Sequence, residues 1–339
     1  MRNMKSFWQG LPKPFFVMAP MADVTDAAFR ALVAKHGAPD VFWTEFVSAD
    51  GLYHTREVLK MPDDENPLMR DLRIGNGQRP IVAQIFSSKP EMVAYATKLV
   101  AELGFDGVDL NMGCPDRAIE RQGAGAAMIK TPEVARAVIR AAKGAISLPV
   151  SVKTRVGYSK ETLDEWLPVI LEEAPAALTV HLRTRKQLSL VPADWELMKK
   201  AVAIRNRIDP SVPLIGNGDV TSIEQGARLV AESGCDGAMI GRGMFGNPWV
   251  FEGISGLRKS GVPEGFTKSQ HSEHSLEEKL AALIELAHDF EKLRPQKSFA
   301  VLKKHIKAFV TGFPGAAELR AELMEADSAA DLERILLKH

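Results

Sequence analysis

Only two of the 339 residues are cysteine, Cys114 and Cys235, and they sit in unrelated contexts. Two thiols cannot build the disulfide framework of a small secreted domain. Four closely spaced Cys/His ligands, the usual structural zinc set, are also lacking, so no metal site is expected. No run of about 18 apolar residues occurs, which excludes a transmembrane helix by hydropathy. The opening segment, MRNMKSFWQGLPKP, has no continuous apolar core and does not read as a signal peptide. Excess charge of one sign is missing as well: Lys+Arg and Asp+Glu both number 43. That balance excludes a globally basic nucleic-acid coat but leaves room for a local basic patch. There is no close internal repeat and no low-complexity tract. The expectation is a soluble, cytoplasmic protein in a reducing compartment, monomeric and without a membrane partner.

What is present is ordinary globular material, with 45% hydrophobic and 25% charged residues. The length admits two domains, or one large barrel with an appendage. Short apolar runs predict eight strands, at Phe15–Ala19, Val41–Thr44, Ile81–Phe86, Gly107–Asn111, Val150–Thr154, Ala177–His181, Pro213–Asn217 and Gly237–Gly241. Helix signals lie between them. Thr131-Pro132 sets a cap before a proline at the first helical position. Thr162 with Glu165, and Thr221 with Glu224, have capping-box spacing. Strands alternating with helices imply a parallel sheet, and eight such units favour a closed (β/α)8 TIM barrel over an open doubly wound sheet. The long polar stretch between Val41 and Ile81 reads as an insertion near the barrel mouth.

The pattern changes near residue 253. The barrel is assigned to residues 1–252 and a Gly/Ser/Pro/Lys-rich linker to 253–274. A small helical bundle is assigned to 275–339. Ser275 with Glu278 opens its first helix, to about Leu293; further helices fit Gln296–Thr311, Ala316–Met324 and Ala329–Lys338.

In such a barrel, chemistry gathers at the carboxyl ends of the strands. There the sequence sets Ala19-Pro20-Met21-Ala22, Gln84, Asn111-Met112-Gly113-Cys114-Pro115, Lys153 with Arg155, His181 through Arg185, Asn217-Gly218-Asp219 and Gly241-Arg242-Gly243. A barrel built only for stability has no reason to deliver so many small and polar residues to one rim. The glycines after the last two strands fit a phosphate site, with Arg242 as charged partner; the alternative is that they only make tight turns. Lys153 would be a buried cation needing an anionic or electron-rich partner: a flavin ring, or a barrel carboxylate such as Asp109. Gln84 would hydrogen-bond a ring edge or fill a polar barrel layer. His181 would meet a phosphate or ring oxygen, or be a satisfied core histidine. Cys114, in a glycine-proline loop, fits a proton donor or a nucleophile better than a small buried filler. Cys235 fits the filler.

Together these motifs resemble one family. Ala19 through Arg30 resembles the opening signature of tRNA-dihydrouridine synthases, and Asn111-Met112-Gly113-Cys114-Pro115 resembles their catalytic loop. Val152 through Arg155, His181 through Arg185, Gly216 through Asp219 and Gly241-Arg242 follow in the family's order and spacing. Phe313-Pro314-Gly315-Ala316 through Leu319-Arg320 resembles its C-terminal helical domain. Leu182 departs from the pattern, standing where many members have glycine. The resemblance implies an FMN-bound barrel that reduces one uridine of folded tRNA to 5,6-dihydrouridine, with electrons from NADPH. It implies that Pro20, Met21, Ala22, Gln84, Lys153, His181, Asn217, Gly218, Asp219, Gly241 and Arg242 line the flavin. Cys114 would then be the proton donor and Asn111 would touch the flipped uracil. The uracil chemistry agrees: reducing equivalents add at C6, charge builds toward the C4 oxygen, and C5 needs a proton from the opposite face.

RNA contact in a neutral chain must be local. From Lys292 to Lys307 there are six Lys/Arg and no carboxylate. On one continuous helix, Lys297, Lys303, Lys304 and Lys307 would share a face opposite Phe299, Leu302, Ile306 and Phe309. That stripe fits phosphate contact, against the alternative of a solvated face. Arg183, Arg185 and Lys186 at the rim would continue the track toward Cys114. Two rival functions remain at this point. One is a flavin barrel reducing a free pyrimidine or enone. The other is a helical RNA-binding module on an inactive barrel.

Overall fold

The first strand, β1 (Phe15–Met18), is buried at every residue, and so is β3 (Ile81–Phe86). Runs with no polar face are what a parallel sheet covered on both sides requires. A computed structural model of the chain describes residues 6–260, 274–293 and 297–339. Its remaining strands are β2 (Phe42–Ser48), β4 (Gly107–Met112), β5 (Val150–Arg155), β6 (Leu178–His181), β7 (Leu214–Asn217) and β8 (Gly237–Ile240). All eight pair in parallel, in the order β1-β8-β7-β6-β5-β4-β3-β2. A single Val17–Val41 bridge joins β1 to the start of β2, with Met18 N donating to Val41 O at 3.1 Å and Asp40 N to Phe16 O at 2.8 Å. These contacts close the ring, so the fold is the expected (β/α)8 barrel with appended helices.

Two apolar layers hold it. Inside the ring, Phe15, Val17, Val41, Trp43, Val82, Ile215 and Met239 pack together. Trp8, on the short helix Phe7–Gly10, plugs the end where the strands begin, 5.5 Å from the Trp43 ring. Alternate residues such as Phe16, Met18 and Phe42 face outward under the helices, as the two-residue strand period demands.

Helix starts differ in detail from the sequence expectations. Thr131 and Thr162 stand at the N-cap but make no side-chain cap bond. Ser222, not Thr221, caps the next helix by accepting from Gln225 N; Thr221 turns its hydroxyl to the Gln225 side chain instead. The Ser275–Glu278 capping box forms as expected and opens Leu276–Glu291.

The helix Ala27–His36 after β1 carries the C-terminal helices. Lys35 pairs with Glu285 at 2.7 Å, and the Phe29 and His305 rings lie 4.7 Å apart. The expected linker begins instead as a helix, Ile254–Ser260, tied back by Arg258 to Pro14 O at 3.2 Å; residues 261–273 lie outside the described residues. The expected helix Gln296–Thr311 is a 3-10 turn, Phe299–Leu302, followed by the α-helix Lys303–Phe309, and Gln296 lies outside the described residues. Ala316–Leu323 and Ala329–Leu336 complete the set. Among the described residues, no helix is long and apolar enough to cross a membrane.

Candidate active site

At the carboxyl end of the strands lies a cavity of about 530 Å³. Its wall takes Ala19, Pro20 and Met21 after β1, Gln84 from β3, Asn111 with Gly113 through Pro115 after β4, and Lys153 and Arg155 from β5. His181, Arg183 and Ser189 join from the β6 side, Asn217 through Thr221 from β7, and Gly241 through Gly243 from β8. Strand period explains the set. Residues two apart on each strand point inward, so the last inward position of each strand meets at one rim.

A polar layer forms its floor. Gln84 Nε2 donates to Asp109 Oδ2 at 2.6 Å, and Ser151 Oγ donates to Asp109 Oδ1 at 2.6 Å. Burial pushes the Asp109 carboxyl up to about 6. Asn111 Nδ2 donates to Gln84 Oε1 at 3.0 Å. Its Oδ1 accepts from Gly113 N at 3.1 Å and Cys114 N at 2.9 Å, so this amide shapes the cysteine loop. The loop is braced from the other side by Ala126 N, which donates to Cys114 O at 2.9 Å. Gly125 makes that approach possible. It has φ +62°, and a Cβ there would stand 2.7 Å from Cys114 O. Burial raises the Cys114 thiol above its ordinary range, so it is a neutral acid at pH 7.

Lys153 faces the same cavity. Its Nζ donates to Asn217 Oδ1 at 3.1 Å, while Asp109 is taken by Gln84 and Ser151. The alternative of a Lys153–Asp109 ion pair is therefore not what forms. Burial first, then the neighbouring charge of Arg155, lowers the ammonium to about 8. It remains a cation at neutral pH with an amide oxygen as its hydrogen-bond partner, facing space large enough for an organic ligand. His181 is held well below its usual range by burial and then by Lys153 and nearby arginines. It is neutral, and its Nε2 accepts from Arg183 Nη1 at 3.2 Å.

The opposite end is built from glycine and arginine. Gly218 has φ +133°, and a Cβ there would meet the Ala193 Cβ at 2.6 Å. Asp219 bridges Arg183 and Arg242 and accepts from Ala193 N at 2.8 Å. Burial alone would raise its carboxyl, but the Arg183 and Ala193 bonds outweigh that and hold it low. Arg242 is the exposed cation of this end. The arrangement suits a flat ligand with a negatively charged tail, lying beside a neutral thiol.

Most residues expected at the site are brought together; Ala22, Arg185 and Lys297 are placed otherwise, and Arg183 lines the cavity with its charge already paired. Ala22 is exposed on the turn after Met21 and does not line the cavity, because Val24 N and Thr25 N both bond back to Met21 O and rotate it outward. Arg183 is buried, with its Nε donating to Val191 O at 2.6 Å; it supports a loop instead of presenting a free charge. Arg185 pairs with Glu120 at 2.9 Å and lies over the Tyr158 ring. Lys297 turns inward onto Glu45 and Asp26, so it is no part of the basic stripe. Lys186, Lys304 and Lys307 are exposed and Lys303 is half-buried, while Phe299, Leu302, Ile306 and Phe309 are buried as expected. Lys304 pairs with Asp23 at 2.9 Å. Cys235 is buried. Phe46 and Ser189 line the cavity unforeseen. Phe46 had a signal, since apolar residues resume with Phe46-Val47 after Thr44-Glu45.

Comparison with known proteins fits this geometry. The family model described as dihydrouridine synthase matches residues 17–338. A protein of Bacillus subtilis (strain 168) named "Probable tRNA-dihydrouridine synthase 2" is 39% identical over 335 residues, covering 98% of this chain and 96% of its own. A "Probable tRNA-dihydrouridine synthase" of Staphylococcus epidermidis is 38% identical, covering 98% and 95%. Among solved structures, 2-naphthoyl-CoA reductase superposes with a TM-score of 0.55 at 8% identity, covering 73% of this chain and 51% of that one. Histamine dehydrogenase from Rhizobium sp. 4-9 gives 0.52 at 14%, covering 81% and 48%. The chain spans about half the length of those two, and at such identities the likeness shows the barrel fold alone. The match to the family model runs from β1 to the last helix, through the cysteine loop and both ends of the cavity, and the chain belongs to the dihydrouridine synthase family of enzymes.

Proposed function

We propose that the chain reduces a uridine of folded tRNA to 5,6-dihydrouridine, with FMN seated in the barrel mouth and NADPH as the electron source. The observation that carries this reading is the neutral Cys114 thiol and the Lys153 ammonium facing one cavity. Gly218, Gly241 and Arg242 would hold the phosphate tail. Pro20, Met21, Gln84, Lys153, His181 and Asn217 would hold the ring. Bound FMN would supply the two-electron reducing equivalent delivered to C6 of uracil.

The chain's own residues do the rest. Lys153 balances negative charge at the cavity floor. Cys114, a neutral thiol at working pH, gives its proton to C5 and is reprotonated from solvent. The Asn111 amide holds the cysteine loop and leaves one Nδ2 hydrogen for the uracil edge. Lys303, Lys307 and Lys186 would bind phosphates, with residues 1–252 as catalytic barrel and 275–339 as tRNA-binding region. Such RNA is read by shape and backbone more than by a base code. The reading places the enzyme in the cytoplasm, beside its tRNA.

A visible spectrum of the purified protein, before and after anaerobic NADPH, tests the redox half; nucleoside analysis of unmodified tRNA after turnover tests the rest. Flavin bands that bleach, with dihydrouridine in the digest, are expected. A colourless protein that takes up no added FMN would overturn the reading.

A further inference from the structure

Lys186 through Pro192, after β6, is exposed at every residue, yet its backbone is tied down. Two buried arginines hold it from below: Arg155 Nη1 donates to Leu188 O at 3.1 Å and Arg183 Nε to Val191 O at 2.6 Å. Thr184 N donates to Gln187 Oε1 at 2.7 Å, and Gln187 N returns to Thr184 Oγ1 at 3.2 Å. Leu188 is even held at φ +52°, a conformation a leucine adopts only under constraint. On this fixed frame Leu190 is 80% exposed, with Leu188 and Val191 more than a third exposed beside it. Single exposed aliphatics are commonplace, but three on one pinned loop are not. Ser189, between two of them, lines the cavity that holds Cys114. The crest therefore stands at the cavity rim, just after the exposed cation Lys186.

We propose that Leu190 is a positioning residue that wedges into the RNA base stack beside the target uridine as that base swings into the cavity. This rests on the tRNA reading above. Extracting a base from its stack costs a few kcal/mol. An aliphatic side chain pushed into the gap restores apolar contact there, as apolar wedges do in proteins that unstack nucleic acid. Leucine makes no hydrogen bond, so it accepts any neighbouring base. The adjacent exposed Lys186 and an apolar tip match a polyanion with exposed base faces better than they match a protein surface or a second copy of the chain.

The test compares wild type, Leu190→Ala and Leu190→Phe on unmodified transfer RNA. Leu190→Ala should lower kcat/KM for dihydrouridine formation by about tenfold, and Leu190→Phe should restore most of it. NADPH-driven flavin bleaching and the thermal midpoint should stay unchanged in both. The slope of log affinity against log salt should also be unchanged, because an aliphatic side chain neutralises no phosphate. Full activity of Leu190→Ala with an active wild type would overturn the wedge alone. So would loss of a concentration-dependent self-association in Leu190→Ala with activity kept, which would make the crest a protein contact. A wild type that forms no dihydrouridine would remove the tRNA reading itself, and the wedge with it.

Discussion

Lys297 sets its ammonium 2.9 Å from the Glu45 carboxylate and 3.4 Å from Asp26, all three buried. Glu45 lies in the middle of β2, where the pairing with β3 shifts register between Trp43 and Phe46, and Asp26 caps Ala27–His36 by accepting from Phe29 N at 3.0 Å. One side chain of the helical region thus pairs with two acidic groups of the barrel, although burial still pushes the Glu45 carboxyl up to about 7.

Removing that cation should be costly. Lys297→Met strands buried carboxylates, and a loss of about 3–5 kcal/mol is expected in urea unfolding. Adding Glu45→Gln should recover part of it. Equal stability of wild type and Lys297→Met would show the cluster to be unimportant.

Asp109 gives a pH signature. Its folded carboxyl titrates near 6, above the ordinary value near 3.8. Between those values the folded chain keeps a proton that the unfolded chain has lost. The stability it contributes is full below about pH 4 and lost as pH rises through 6. Asp109→Asn should flatten that part of the urea-midpoint profile between pH 4.5 and 6.5.

Lys153 should make FMN affinity fall in alkali. In the ligand-free protein its charge is lost above about pH 8, so FMN fluorescence titrations should show weaker binding at pH 9 than at pH 7. Lys153→Met should bind weakly at both, with little pH dependence.

Cys114→Ala should keep flavin binding and NADPH oxidation while dihydrouridine formation falls by about 100-fold or more. Because burial holds the wild-type thiol protonated, product formation at neutral pH should show no loss of this acid. Normal product from the alanine variant would end the proton-donor role.

Charge reversal at Lys303 and Lys307 should weaken tRNA binding and reduce its salt slope by about one for each phosphate no longer neutralised. Lys304 is left out, since its pair with Asp23 would be broken at the same time. Unchanged affinity would make the stripe a solvated face.

Much of this was legible because parallel strands are short apolar runs and the rim residues follow them directly. Ile81–Phe86 was read to the residue, and the glycine and cysteine loops lie where the chain order put them. What escaped depends on distant partners. Glu45 fell just past the strand read as Val41–Thr44, yet it lies within β2, and a lysine 252 residues away lets it stay buried there. Lys297 looked like one of four cations on a continuous helix, yet a 3-10 turn interrupts that helix and Lys297 precedes it. Arg183 looked like a phosphate ligand until Asp219, after the neighbouring strand β7, claimed it. Periodicity reports which way a side chain points along its own element, not which charge arrives from another.

The single Val17–Val41 bridge that closes the ring has a consequence for any shortened version of the enzyme. Lys297 reaches Asp26 beyond β1 and Glu45 on β2, and so spans that thin seam like a hoop across the last two staves of a cask. Cutting the chain before residue 297 would loosen the seam beside Met21 and Phe46. Lost turnover in such a fragment would then report an opened ring as readily as a missing RNA contact, and point changes on the intact chain are the way to separate the two.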